Sequence, residues 1–289
     1  MTEWDGRGLV STEWLAAHLG DASLRLYDVT VHLRPATPGP YKVESGRADY
    51  EAGHIRGAAF LDLVHDLSDT TSALNFTRPS LSALEHALGA AGIGAGMRVV
   101  AYSSGSPMWA TRFWWMLRAA GIADVAVLDG GLAKWTAEGR PVEAGRHDYA
   151  PAAIHGAERA GSWADKQDVL SAIGDGAVCT INALSPSVHS GEAPISYGRK
   201  GHIRGSTNVP YAALLAADGT FRPDAELRPL FEAVGALARK RVICYCGGGI
   251  SATMDALALT RLGHEAVAVY DGSMAEWTAD PDLPMDLGA

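Results

Sequence analysis

Gly53-His54-Ile55-Arg56-Gly57-Ala58 returns later in the chain as Gly201-His202-Ile203-Arg204-Gly205-Ser206. Working outward, Val99-Val100-Ala101-Tyr102 returns as Val242-Ile243-Cys244-Tyr245, and Asp129-Gly130 with Trp135 returns as Asp271-Gly272 with Trp277. The offset falls from 148 for the Gly-His-Ile motifs to 143 for the strand segments, and by one more to 142 after the tyrosines, where Ser103 to Trp109 is one residue longer than Cys246 to Ser251. From Ala110 and Ala252 onward the two copies stay in step. Self-similarity at about half the chain length predicts two like domains rather than one large one. The Pro-, Ala- and Gly-rich stretch 141–161 reads as the surface connection, with the first domain at 1–145 and the second at 146–289.

Each half alternates apolar runs with helical periods. In the first, Leu24–Val29, Met97–Tyr102 and Val125–Leu128 read as strands, and Leu81–Ala91 and Met108–Ala120 as helices. The second half repeats the pattern. Strands separated by helices predict an α/β class, each domain a mostly parallel sheet with helices on both faces. Sites in such sheets gather beyond the carboxyl ends of the strands, and the residues after Tyr245 lie at one such end.

Of the 289 residues, 47% are hydrophobic and 20% charged, which disfavours disorder and coiled coil. Acidic side chains outnumber basic ones by 33 to 24, so general nucleic-acid binding is disfavoured and any anion site must be built locally. No apolar run approaches the ~20 residues of a membrane helix. Met1 to Val10, with Glu3, Asp5 and Arg7, does not read as a secretory signal, which makes the cytoplasm the expected compartment. Cys179, Cys244 and Cys246 cannot form a disulfide framework, so reduced thiols are expected.

Cys246 follows the strand that starts at Arg241, and Gly247-Gly248-Gly249-Ile250-Ser251-Ala252 leads from it into a helix. Strand, glycine turn and helix N-terminus together make an anion cradle, in which inward N–H groups favour a thiolate or persulfide over a neutral thiol. A free cysteine is more often a small buried hydrophobe, the reading that fits Cys179 and Cys244. A cysteine phosphatase needs an arginine at the sixth position after its nucleophile, and here Ala252 stands there. The neutral loop therefore suits a persulfide better than a phosphate.

With these residues in place, the chain resembles the tandem-domain rhodanese-type sulfurtransferases, the family of thiosulfate and 3-mercaptopyruvate sulfurtransferases. The resemblance spans nearly the whole length. It rests on the two Gly-His-Ile motifs, Leu128-Asp129-Gly130-Gly131 with Trp135, Tyr270-Asp271-Gly272-Ser273 with Glu276-Trp277, and Ala279-Asp280-Pro281-Asp282-Leu283-Pro284. It implies a silent first domain, where Ser103 and Ser104 take the cysteine's place, and a second domain whose Cys246 carries sulfur. The sulfur passes from a small donor to a thiol or cyanide, a thioredoxin-like protein being one candidate thiol. Backbone N–H groups of residues 247 to 252 would hold the persulfide, and no cofactor is implied. The alternatives are a thiosulfate:cyanide sulfurtransferase proper and a noncatalytic binding or sulfur-relay module.

The loop's neutrality resembles the mercaptopyruvate pattern, Cys-Gly-Ser/Thr-Gly-Val-Thr, although Gly248 lacks the hydroxyl of that pattern. Ser251 offers another hydroxyl, or a helix N-cap. An anionic donor calls for positive charge, which Arg199 and Lys200 supply just before the second Gly-His-Ile motif, with Arg199 the first choice. The family's basic residues after the second domain's first strand are missing, since Leu184 and Val188 stand in Asn182-Ala183-Leu184-Ser185-Pro186-Ser187-Val188. From the first domain the resemblance implies that His54 and Arg47 can face the interdomain cleft, with a structural role for His54 the competing reading. Gly92-Ile93-Gly94-Ala95-Gly96 follows a helix and precedes a strand, the reverse of a dinucleotide loop. The histidines form no close metal-type pair, so no metal site is expected. Trp109, Trp114 and Trp115 read as core or interface packing.

Overall fold

A computed structural model describes Trp4 and residues 7–36, 41–194 and 197–288. Glu3 and Asp5, part of the N-terminal reading above, lie outside these residues. The first half builds a sheet in the order Leu9–Val10, Val125–Leu128, Arg98–Tyr102, Leu24–Asp28, Ala59–Phe60, with every pairing parallel. The second half repeats it with Trp163–Ala164, Val267–Tyr270, Arg241–Tyr245, Val178–Asn182 and Thr207–Asn208. Strands buried on both faces read as continuous apolar runs. Val99 through Tyr102 and Val242 through Tyr245 are all fully buried.

The expected strands and helices are present within a residue or two at their ends, as in the helices Leu81–Ala90 and Met108–Ala119. The structure adds the two-residue edge strands Leu9–Val10 and Trp163–Ala164, too short to show a period. It also adds an antiparallel pair, Val31–Arg34 with Lys42–Ser45, which the second half lacks among the described residues. The connecting stretch lies along the first sheet's domain well past residue 145. There the N–H groups of His147, Ala152 and Ala157 donate to the Tyr50 hydroxyl, the Gly89 carbonyl and the Ala120 carbonyl, each at 2.9 Å.

The halves meet through the helices Met108–Ala119 and Ala252–Arg261, and one apolar cluster runs from sheet to sheet between them. Thr111 and Thr253, equivalent positions in the two copies, share a hydrogen bond of 2.7 Å. Trp115 meets Trp163 edge-on at 6.4 Å. The repeated aspartates reach across reciprocally: Asp129 accepts the Phe221 N–H at 2.8 Å, and Asp271 accepts the Arg78 N–H at 2.9 Å.

One side chain breaks the apolar rule. Asp255, in the helix Ala252–Arg261, is completely buried, and neither carboxyl oxygen has a hydrogen-bond partner. Burial raises its pKa well above the usual carboxylate range, and burial followed by Asp255 itself raises the nearby Cys244 thiol. The unfolded chain releases the Asp255 proton above about pH 4. The contribution of Asp255 to stability is therefore fully present below that pH and is lost as pH rises toward the folded value. Asp255→Ala is expected to flatten this decline and to raise stability at pH 8 by about 2 kcal/mol. Urea unfolding at pH 5 and pH 8 checks it, and an undiminished pH slope in the variant counts against the account.

Candidate active site

The strand Arg241–Tyr245 delivers Cys246 to the carboxyl end of the second sheet. Side chains alternate along a strand, and Cys244 turns into the core, fully buried. Tyr245 fixes the strand end: its hydroxyl accepts the Ile203 N–H at 3.1 Å and bonds the Ser206 hydroxyl at 2.7 Å. Tyr102 receives the Ile55 N–H at 3.1 Å in the first domain. The recurring Gly-His-Ile motif thus anchors the tyrosine that precedes each loop.

Beyond Tyr245 the loop's carbonyls are held from outside. Those of Cys246 and Gly247 accept the N–H groups of Met274 at 3.0 Å and Ala275 at 2.9 Å, at the start of the helix Ser273–Trp277. The Gly249 carbonyl accepts Arg112 Nη1 at 3.1 Å. Among the described residues, the N–H groups of Gly247, Gly248, Ile250, Ser251 and Ala252 have no partner. Gly248 is half-buried and the other four residues are buried. Buried N–H groups are seldom left over, and a run of them beside a thiol is a receptor for an anion. Gly249 has φ +74°, and a Cβ there would stand 2.6 Å from the Asp271 carbonyl oxygen. A Cβ on Gly247 would overlap the Tyr197 ring, so the chain passes there only without a side chain.

Two tyrosines cover the loop. Tyr41 comes from the first domain and Tyr197 from the second, their rings 6.4 Å apart at 65°, and Cys246 beneath is 2% exposed. Burial, then the charge of Cys246, pushes the Tyr41 hydroxyl up to about 12, and the same two causes lead in raising Tyr197. Among the described residues, the charges that act on the two phenols are those of acidic groups, Cys246 foremost. Sequence reasoning passed over both, although Tyr197 adjoins the Gly198-Arg199-Lys200 segment singled out for its charge.

Behind the loop, Arg112 of the first domain is 1% exposed. It donates to the Gly249 and Phe76 carbonyls at 3.1 and 2.7 Å. Its guanidinium lies over the Trp163 ring at 4.8 Å. Nη2 also lies 2.7 Å from Asp271 Oδ1 in an ion pair. Asp271 thus joins the interface to the loop.

The other residues named from sequence are dispersed. Arg199 donates to the carbonyls of Pro281 at 2.7 Å and Leu283 at 2.6 Å, so its guanidinium fastens the C-terminal segment. Lys200 is exposed. His54 is 1% exposed and stacks on Tyr50, with Nδ1 2.9 Å from the Tyr50 carbonyl and Nε2 3.6 Å from Glu143. Arg47 lies over the Phe60 ring at 4.7 Å, in a first-domain groove with Asp66, His86 and Asp148. Ser251 occupies the N-cap position, but its side chain accepts no capping bond. Leu184 is buried. In the first domain Ser103 bonds the Ser106 carbonyl at 2.7 Å within the loop, and Thr30, just past the strand Leu24–Asp28, accepts the Ser104 N–H at 2.9 Å. Among the described residues no group of His, Cys, Asp and Glu is placed to hold a metal ion, and no helix is long and apolar enough to cross a membrane.

The rhodanese-like domain model matches residues 11–138 and 186–280. The chain is 32% identical to the 3-mercaptopyruvate sulfurtransferase of Escherichia coli (strain K12), over 96% of this chain and 97% of that protein. It is also 32% identical to the thiosulfate sulfurtransferase of Rattus norvegicus, over 98% and 96%. Among solved structures, SseA from Escherichia coli, described as a 3-mercaptopyruvate sulfotransferase with the rhodanese fold, superposes with a TM-score of 0.79 and 31% identity. It covers 92% of this chain and 98% of that one.

Proposed function

We propose that this chain, which belongs to the rhodanese family of sulfurtransferases, moves a sulfane sulfur from a small donor to a thiol or cyanide through a persulfide on Cys246. The observation that carries the reading is the run of N–H groups at Gly247, Gly248, Ile250, Ser251 and Ala252 that have no partner among the described residues. They suit a sulfur anion attached to Cys246 and supply no charge that would hold a phosphate. The Cys246 thiolate attacks the donor's transferable sulfur. With 3-mercaptopyruvate the C–S bond breaks, the enolate of pyruvate leaves and takes a proton from water, and Cys246 retains the sulfur as a persulfide. A thiol or cyanide then attacks the terminal sulfur, the S–S bond breaks, and Cys246 departs as thiolate. A thioredoxin-like protein is one form the thiol acceptor takes, and the cycle needs a reducing compartment such as the cytoplasm. The three cysteines are free thiols.

We favour 3-mercaptopyruvate over thiosulfate as the donor. The loop is neutral, and among the described residues the charges that act on its phenolic cover are those of acidic groups. A dianion entering there loses its hydration without a compensating charge, whereas one carboxylate and a ketone find hydroxyl donors in Tyr41 and Tyr197. Steady-state sulfur transfer to cyanide, with the two donors side by side, is expected to give a kcat/KM about tenfold or more higher for 3-mercaptopyruvate. A preference for thiosulfate overturns the donor assignment. Absence of turnover with both overturns the catalytic reading in favour of a binding or relay module.

A further inference from the structure

Ser273 holds a backbone conformation that serine rarely takes. Its φ of +49° lies in the left-handed region, where a Cβ crowds the following carbonyl. The first domain makes the same turn with Gly131, at φ +56°. The turn alone therefore calls for glycine. What serine adds is a fully buried hydroxyl with three bonds. It accepts the N–H of Cys246 at 3.1 Å and of Gly249 at 3.0 Å, and donates to the Tyr270 carbonyl at 2.7 Å. A hydroxyl has one proton and two lone pairs, and all are used.

The two copies separate the hydroxyl's role from that of the turn. Both loops are held by a carbonyl at the cysteine position: Ser103 O accepts the Leu132 N–H at 3.2 Å, as Cys246 O accepts that of Met274 at 3.0 Å. Only in the loop with the thiol does the turn residue itself supply a hydroxyl that pins the loop. In the first domain Gly131 has no side chain to do so, and the loop is held from elsewhere, by Ser103 on the Ser106 carbonyl and by Thr30, which accepts the Ser104 N–H.

We infer that Ser273 is a positioning residue for the chemistry at Cys246: by tying down the N–H groups of Cys246 and Gly249, it leaves those of Gly247, Gly248, Ile250, Ser251 and Ala252 turned to the sulfur. This rests on the reading of Cys246 as the persulfide carrier. Strain tolerated at a turn for the sake of a hydroxyl is the mark of a site residue.

The test compares Ser273→Gly with Ser273→Ala. Both remove the hydroxyl, but only alanine retains the backbone strain. The measurements are kcat and KM for sulfur transfer to cyanide, and the pH midpoint of iodoacetamide alkylation followed by mass at Cys246. Both variants are expected to lose about tenfold or more in kcat with KM little changed. Both should also move the alkylation midpoint upward by about one pH unit, because fewer fixed N–H groups favour the thiolate. The titratable groups near the thiol are Tyr41, Tyr197, Tyr245 and Cys244. Arg112 and Asp271 lie behind Gly249. None of these is altered, so the shift reports the loop. A glycine variant that matches the unsubstituted protein while alanine fails makes the turn, not the hydroxyl, the cause and overturns the inference. So does an unmoved midpoint in both. If the unsubstituted protein transfers no sulfur, the persulfide reading fails, while the alkylation midpoints still decide the role of Ser273.

Discussion

Cys246→Ser is expected to lower sulfur transfer to cyanide by about 10³-fold or more, with either donor, while circular dichroism and thermal unfolding stay close to the unsubstituted protein. The exchange is nearly isosteric, and the loop's shape does not depend on the sulfur. Its carbonyls are held by Met274, Ala275 and Arg112, and two of its N–H groups by Ser273. An alkoxide is far harder to form than a thiolate, and oxygen cannot take up a sulfane sulfur as a persulfide. A variant that still turns over above a few per cent would place the nucleophile elsewhere. Neither remaining cysteine is suited to that role: Cys244 is fully buried, and Cys179 is buried with its sulfur 3.7 Å from the Thr207 hydroxyl.

Arg112→Leu is expected to destabilise the protein by about 3–5 kcal/mol, because it removes one partner of a buried ion pair and leaves Asp271 behind. The carbonyls of Gly249 and Phe76 lose their donor at the same time. For a chain of this size the fall in Tm is about 6 to 15 °C. Activity should fall further than stability predicts when assayed well below Tm, since a first-domain side chain holds a carbonyl of the second domain's loop. Differential scanning calorimetry paired with kcat at 20 °C separates the two effects. Unchanged turnover in a destabilised variant would confine Arg112 to the interface, and unchanged stability would contradict the ion-pair argument.

The parts legible in the sequence were those that depend on local pattern. Val242 to Tyr245 announce a doubly covered strand by unbroken apolar character, and three glycines after Cys246 announce a turn that needs room on the backbone. The repeat made the second domain readable from the first. What escaped depends on distant residues meeting. Nothing in Met108-Trp109-Ala110-Thr111-Arg112 tells that its arginine crosses to Gly249, nor does the segment around Tyr41 show that the ring covers a loop two hundred residues later. Arg199 illustrates the opposite limit. Its charge is visible in sequence, but the carbonyls of Pro281 and Leu283 that engage it become neighbours only when the C-terminal segment folds back. His54 is similar, for its stacking on Tyr50 depends on the helix Arg47–Ala52 that carries the tyrosine.

Thr111 facing its own counterpart Thr253, with Asp129 and Asp271 each grasping the opposite half, is the arrangement of a two-fold homodimer drawn on a single chain. In a homodimer every substitution falls on both active sites at once. Covalent fusion removes that constraint, and it also makes the association intramolecular, so the partner is present at an effective concentration no dilution can lower. One half is then free to surrender its thiol and become a permanent subunit for the other. A first domain expressed alone is left with an apolar face and an unpaired Arg112, and it should seek a second copy of itself.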